Sequence, residues 1–167
     1  MISATYPDWS REAPQRWWDP SRRLLRVIRR YQAVRGPLAG LRRKYWALQH
    51  RFWSVITQAE IHLTQSIGGG LVLPHPNGIV LHPRAEIGPN CLIFHQVTLG
   101  TVPNRTGVPV LGGHVDVGAG AKILGPVRVG DHAVIGANAV VLSDVPPGAV
   151  AVGIPARIIL RQETQDA

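Results

Sequence analysis

The chain has 167 residues, a single cysteine (Cys91) and a formal net charge of +8 at pH 7. One cysteine excludes an intramolecular disulfide framework, and no apolar run reaches the roughly 20 residues of a membrane-spanning helix. Met1 to Pro14 is polar and broken by prolines, unlike a signal peptide, so the expectation is a soluble, cytoplasmic domain with an accessory segment.

The charge is uneven. Residues 1–58 hold twelve Arg or Lys against Asp8, Glu12 and Asp19, a balance of +9, whereas residues 59–167 hold six against seven. All five tryptophans fall in the first part. This shift divides the chain into a basic, Trp-rich segment 1–58, a second unit 59–160 and a tail 161–167.

Residues 1–20 read as irregular. Residues 21–35 read as an amphipathic helix, with Leu24, Leu25, Val27, Ile28, Tyr31 and Val34 on one face and Ser21 as N-cap. Gly36-Pro37 ends it and opens a second helix, about 37–54, whose Leu38, Leu41, Tyr45, Leu48, Phe52 and Val55 form one apolar stripe. The arginines suit a solvated face on helices packed against the rest of the chain or a neighbouring subunit. Contact with an anionic membrane surface is a second reading. No nucleic-acid motif accompanies the charge.

From Glu60 a different period takes over. Ile61, Ile67 and Leu73 stand six residues apart; Leu81, Ile87, Ile93 and Leu99 resume the step after a two-residue insertion near Asn77-Gly78. After a loop, Thr101 to Val110, the step runs through Leu111, Val117, Ile123, Val129, Ile135 and Val141, with glycine directly after four of these. Six matches neither an α-helix nor a plain strand; it matches a parallel β-helix in which every sixth side chain points into a narrow prism. Val145-Pro146-Pro147-Gly148 breaks the repeat, and the apolar piece Ala149 to Ile159 suits a cap on the open end.

A repeat of this kind is scaffold, so chemistry belongs to its departures. His75, beside the insertion, and His95 hold the same place in their hexads, 20 residues apart. One coil of 18 plus two inserted residues stacks them about 5 Å apart. His62 and His82 stack by the same count. A histidine there suits general-base work on a hydroxyl, with Glu60 the nearest carboxylate to orient it. Several imidazoles also suit zinc, and turn-filling histidines suit neither. Cys91 reads as a small buried residue and not a nucleophile.

The runs Leu73-Pro-His-Pro-Asn-Gly-Ile-Val80, Gln96-Val-Thr-Leu-Gly100, Gly118-Ala-Gly-Ala-Lys-Ile-Leu-Gly125, Ile135-Gly-Ala-Asn-Ala-Val-Val-Leu142 and Val152-Gly-Ile-Pro-Ala-Arg157 together resemble the serine acetyltransferases of the hexapeptide-repeat acyltransferase superfamily. The resemblance covers about residues 58–160. It implies a mainly β fold: a left-handed parallel β-helix preceded by the short helical segment, assembled as a homotrimer with sites between subunits. It implies an acetyl-CoA-dependent O-acetyltransferase with no metal, in which His75 is the base and Glu60 orients it. Gly100, Thr101, Ala119, Ala137 and Arg157 fall where the family binds coenzyme A. The resemblance also implies an acceptor pocket lined by Pro74, His95 and Val108. The family's aspartate before the catalytic histidine is here Pro74, and its second active-site histidine and preceding arginine fall on Val108 and Gly107, with Arg105 nearby. A zwitterionic acceptor would find fewer ionic partners here than in the family. The shortened helical region favours a trimer over a hexamer, and the ending Gln165-Asp-Ala167 lacks the terminal isoleucine by which typical members dock into cysteine synthase, so no such complex is expected. L-serine, in cysteine biosynthesis, is the leading acceptor. The alternatives are a sugar hydroxyl of surface polysaccharide, and, in other classes, a histidine-zinc enzyme or a non-catalytic trimeric scaffold.

Overall fold

The computed structural model describes residues 2–160. The tail 161–167 lies outside the described residues.

Every residue of the six-step series is buried, from Ile61 through Val141, none more than 9% exposed. These side chains fill the axis of a three-faced prism wound from two- and three-residue strands. The first face stacks Ser66–Ile67, Glu86–Ile87, Val110–Leu111 and Arg128–Val129. The second stacks Leu92–Ile93, Asp116–Val117, Val134–Ile135 and Val150–Val152, then Arg157–Ile159. The third stacks Val80–Leu81, Thr98–Gly100, Lys122–Leu124 and Val140–Val141. Strands pair parallel with the coil above, except that Arg157–Ile159 returns antiparallel on Val150–Val152. The closing segment is therefore a hairpin at the end of the second face.

Extra residues are absorbed only at the edges between faces. Ser66 faces Glu86, Val80 faces Thr98, Glu86 faces Val110 and Val110 faces Arg128. The basic coil is 18 residues; the first pairing carries two more and the third carries six. The two sit beside His75, and the six fall within the 101–109 loop. Left-handed backbone at Asn90, Gln96, His114, His132 and Asn138 turns the edges, with φ of 53 to 60°. Gly68, Gly88 and Gly130 stack on the backbone of the next coil, where a Cβ would come within 2.3 to 2.4 Å of a neighbouring atom, and a Cβ on Gly112 would meet Asp131 Oδ1 at 2.4 Å.

The helices differ in part from the sequence expectation. The first, α1, spans Pro20–Gln32. Its cap position is Asp19 and not Ser21, because Pro20 suits the first helical turn. The Asp19 carboxylate accepts from the Gln15 N–H and the Arg22 guanidinium, both at 3.1 Å. Leu24, Leu25, Val27 and Ile28 are buried as expected. The second, α2, spans Ala39–Thr57. The side that packs carries Trp46, Trp53 and Thr57, whereas the stripe of Leu38, Leu41, Tyr45, Leu48, Phe52 and Val55 is exposed. A periodic apolar stripe identifies a helix that has a face to bury, and here two such faces compete for one scaffold.

The segment before α1 is irregular apart from a 3-10 turn, Trp9–Glu12, but it is firmly held. It runs along the edge between the first and second faces. The Asn90 side chain accepts from Asp8 N–H at 2.8 Å and donates to the carbonyls of Ser3 and Tyr6 at 2.7 and 2.8 Å. Glu12, 7% exposed, pairs with Arg29 at 2.8 Å and accepts from Leu71 N–H at 3.1 Å. Arg29 also donates to the carbonyls of Ile67 and Gly68, at 2.6 and 2.7 Å.

Candidate active site

The three edges of the prism carry different cargo. One holds the N-terminal strap. The second, between the second and third faces, holds the two histidines on which the sequence reading centres. The third holds the 101–109 loop.

On the histidine edge, Pro74 and Pro76 fix the backbone on either side of His75, and Gly78, at φ +68°, brings the chain back into register. The Asn77 side chain bonds that of Gln58, the left-handed residue that ends α2. His75 therefore stands out from the coil, exposed, on a short stiff bulge. Its ring lies 6.1 Å from that of His95, edge-on at 78°, which is the stacking expected from their spacing. His95 is half-buried, and its Nδ1 is buried without a hydrogen-bond partner among the described residues. An unsatisfied buried nitrogen is costly, which suits a group kept for a ligand. Beside His75 opens a depression of about 630 Å³, lined by Arg16, Trp18, Ile56, Gln58, His75 and Asn77.

The same edge continues through Ala119 and Ala137. Gly120 N–H donates to the His95 carbonyl at 2.9 Å, and Asn138 N–H to that of Ala119 at 2.8 Å. His75, His95, Ala119 and Ala137 thus form one column. Below the histidines the small residues Ala119, Gly120 and Ala137 leave the backbone open to a linear ligand, with Asn138 exposed beside them. Gly118 is itself irreplaceable by bulk, because its Cβ would meet Ala137 N at 2.6 Å. The turn of the final hairpin adjoins the foot of the column through Val140 N–H to Gly153 O at 3.0 Å and Ala156 N–H to Val140 O at 2.8 Å. Arg157 follows that turn, exposed.

Other expected residues lie elsewhere. Gly100 ends its strand on the third face, and Thr101 starts the loop on the far edge of that face. Val108 belongs to the loop, where Gly107, at φ +125°, lies against Pro126. The Arg105 guanidinium donates to Leu142 O at 3.4 Å. Within one chain the loop and the histidine column therefore flank opposite sides of the third face. Glu60 lies on that face, pairing with Val80, and lines a separate depression with His50 and His62. Among the described residues no hydrogen bond joins it to His75. Pro74 stands next to His75, apolar and exposed. His62 and His82 each bond their own turn, through Thr64 Oγ1 and Arg84 N–H.

Sequence reasoning missed Lys122. It points outward on the third face beside the column, its Nζ donating to the carbonyls of Gln96 at 2.5 Å and Gly120 at 3.1 Å. The signal was present, since the residue before each core aliphatic points out of the prism. Among the described residues no three His, Cys, Asp or Glu side chains gather as a metal site within one chain.

Residues 109–143 match the family "Bacterial transferase hexapeptide (six repeats)". The serine acetyltransferase of Mycobacterium tuberculosis is 38% identical over 110 residues, 65% of this chain and 48% of that one. The serine acetyltransferase of Helicobacter pylori strain J99 is 50% identical over 108 residues, 64% of this chain and 63% of that one. The Brucella abortus serine acetyltransferase, in its complex with coenzyme A, superposes with a TM-score of 0.73 at 33% identity, covering 86% of this chain and 57% of that one. The chain spans about half to three-fifths of the length of these relatives.

Proposed function

Because the chain is a serine acetyltransferase-like hexapeptide-repeat protein, we propose that it transfers an acetyl group from acetyl-CoA to a hydroxyl, with L-serine as the first acceptor. The observation that carries this is the column on one edge, with a paired imidazole at its head and small residues below. His75 takes the hydroxyl proton as the acceptor oxygen attacks the thioester carbonyl. The tetrahedral adduct collapses, the C–S bond breaks, and the imidazolium returns its proton to the leaving thiolate. Coenzyme A lies along the column with its pantetheine arm against Ala119 and Ala137, Gly100 and Thr101 across the third face, and Arg157 near its phosphates.

In this reading the coil is left-handed, three copies associate, and the loop edge of one copy faces the histidine column of the next. That places Val108 within a completed acceptor pocket with Pro74 and His95, and Glu60 where it orients His75. The separation of loop and column in a single chain supports such a shared site. The protein works in the cytoplasm.

A sugar hydroxyl is the second reading, favoured by Pro74, Gly107 and Val108. These give no ionic partner to a charged amino acid, and an unpaired charge in a partly dry site costs several kcal/mol.

The test is thiol release from acetyl-CoA with L-serine beside a panel of sugars, in the wild type and in His75→Ala. Serine-dependent release that falls by several orders of magnitude in the variant supports the first reading, because base and positioning are lost together. Release with sugars alone replaces serine by the second reading. Release that His75→Ala leaves intact removes the mechanism. Light scattering at three times the chain mass of 18.2 kDa tests the assembly.

A further inference from the structure

α2 has two apolar faces, and the described residues of one chain cover only one of them. On the open face Leu41, Tyr45, Leu48, Phe52 and Val55 recur three or four residues apart and are 51 to 71% exposed. Trp17, 84% exposed, adjoins Phe52 at the end of this stripe. At the angular step of an α-helix, Lys44 and Arg51 border the stripe on one side and Arg42 on the other. The surrounding charge is one-sided: residues 20–59 contain ten Arg or Lys and no Asp or Glu. Among the described residues no helix is long and apolar enough to cross a membrane.

We infer that this face lies on an anionic lipid surface, with α2 parallel to it, the stripe among the outer acyl carbons and the basic residues at the headgroups. An apolar stripe with cationic borders and aromatic rings is what an interfacial helix requires. The negative potential of a lipid leaflet complements an acid-free segment. A two-fold pairing of the same face would instead bring two such segments together without a counter-charge. Ile56 and Gln58, at the C-terminal end of this helix, line the depression beside His75, so lipid docking holds that depression close to the headgroup plane. The inference does not depend on which acceptor is used, or on acetyl transfer.

The experiment is co-sedimentation of the full chain with phosphatidylcholine vesicles containing 0 or about 30% phosphatidylglycerol, alongside light scattering without lipid. Two double variants are compared with the wild type: Leu41→Glu with Leu48→Glu, and Arg42→Ala with Lys44→Ala. The expected result is binding to the anionic vesicles alone, lost in the glutamate pair. In the alanine pair it weakens about thirtyfold, from roughly fivefold per basic residue. Solution mass and thiol release stay as in the wild type. Failure to sediment, equal binding to neutral vesicles, or wild-type binding by either pair overturns the inference. So does a fall in solution mass in the glutamate pair, which makes the stripe a contact between copies.

Discussion

A shared proton ties His114 to His132. The two are one coil apart, and their Nδ1 atoms lie 2.8 Å from each other, so one ring must donate and the other accept. At least one is therefore neutral. Burial, with the neighbouring His132 also acting to lower it, outweighs Asp116 and holds His114 below the usual histidine value. Burial does the same to His50, whose Nε2 donates to Ile61 O at 2.8 Å. A depressed histidine pKa favours the neutral folded form, so this stabilisation is present above about pH 6.5 and is lost as pH falls through the folded value. Thermal midpoints measured from pH 8 to 5 should fall on the acid side. His114→Asn, which keeps a residue suited to left-handed backbone, should flatten that fall; an unchanged slope sinks the assignment. Cys91 has the opposite character. It is fully buried, donates to Gly112 O at 3.2 Å, and burial pushes its pKa up to about 12. An alkylating reagent should leave it unlabelled at pH 8 until denaturant unfolds the chain. Labelling of the native protein at the rate of a free thiol would mean that the coil opens there.

Among the elements, those with a strict period were the legible ones. The hexad series, both insertions and the His75–His95 stack follow from counting, because a coil of fixed length converts sequence separation into position. The strap does not follow from counting. Asp8, Glu12 and Asn90 carry no local pattern that announces long-range partners, and Glu12 reads as a surface acid until Arg29 and Leu71 are seen around it. The exposure of the α2 stripe was equally illegible, since periodicity shows that a face exists and not what covers it. The His114–His132 pair was legible from its separation of 18 and was overlooked, because neither residue adjoins an insertion. Asn90→Ala should show how much the strap matters. It removes three hydrogen bonds and puts a Cβ-bearing residue without a compensating side chain at φ 60°. A loss of about 3 kcal/mol in denaturant unfolding is expected, and a loss within error of zero would make the strap an ornament.

In the whole molecule, the three edges divide the labour: one is held down by the chain's own beginning, one bears the candidate chemistry, and one bears the variable loop. Core side chains keep their places whatever the edges do, so a pocket can change its lining without repacking the axis. Stability is correspondingly graded. The coil strands are bonded on both sides over much of their length, whereas the strap hangs on a few side-chain contacts. Native-state hydrogen exchange should find the amides of Asp8 and Ser10 opening at lower free energy than those of Leu92, Thr98 or Lys122; equal protection would show that strap and coil open as one unit.

The reach of the strap has a consequence for how the chain comes to be folded. Each coil closes on its predecessor after some 16 to 24 residues, so winding can keep pace with synthesis. The strap's bonds to Asn90 instead join residues 79 to 87 apart. The strap, made before the coil it binds, must wait, unpaired, until the second coil has been made. Order of birth and order of docking are reversed: the strap is a latch, closed after the spool beneath it has been wound.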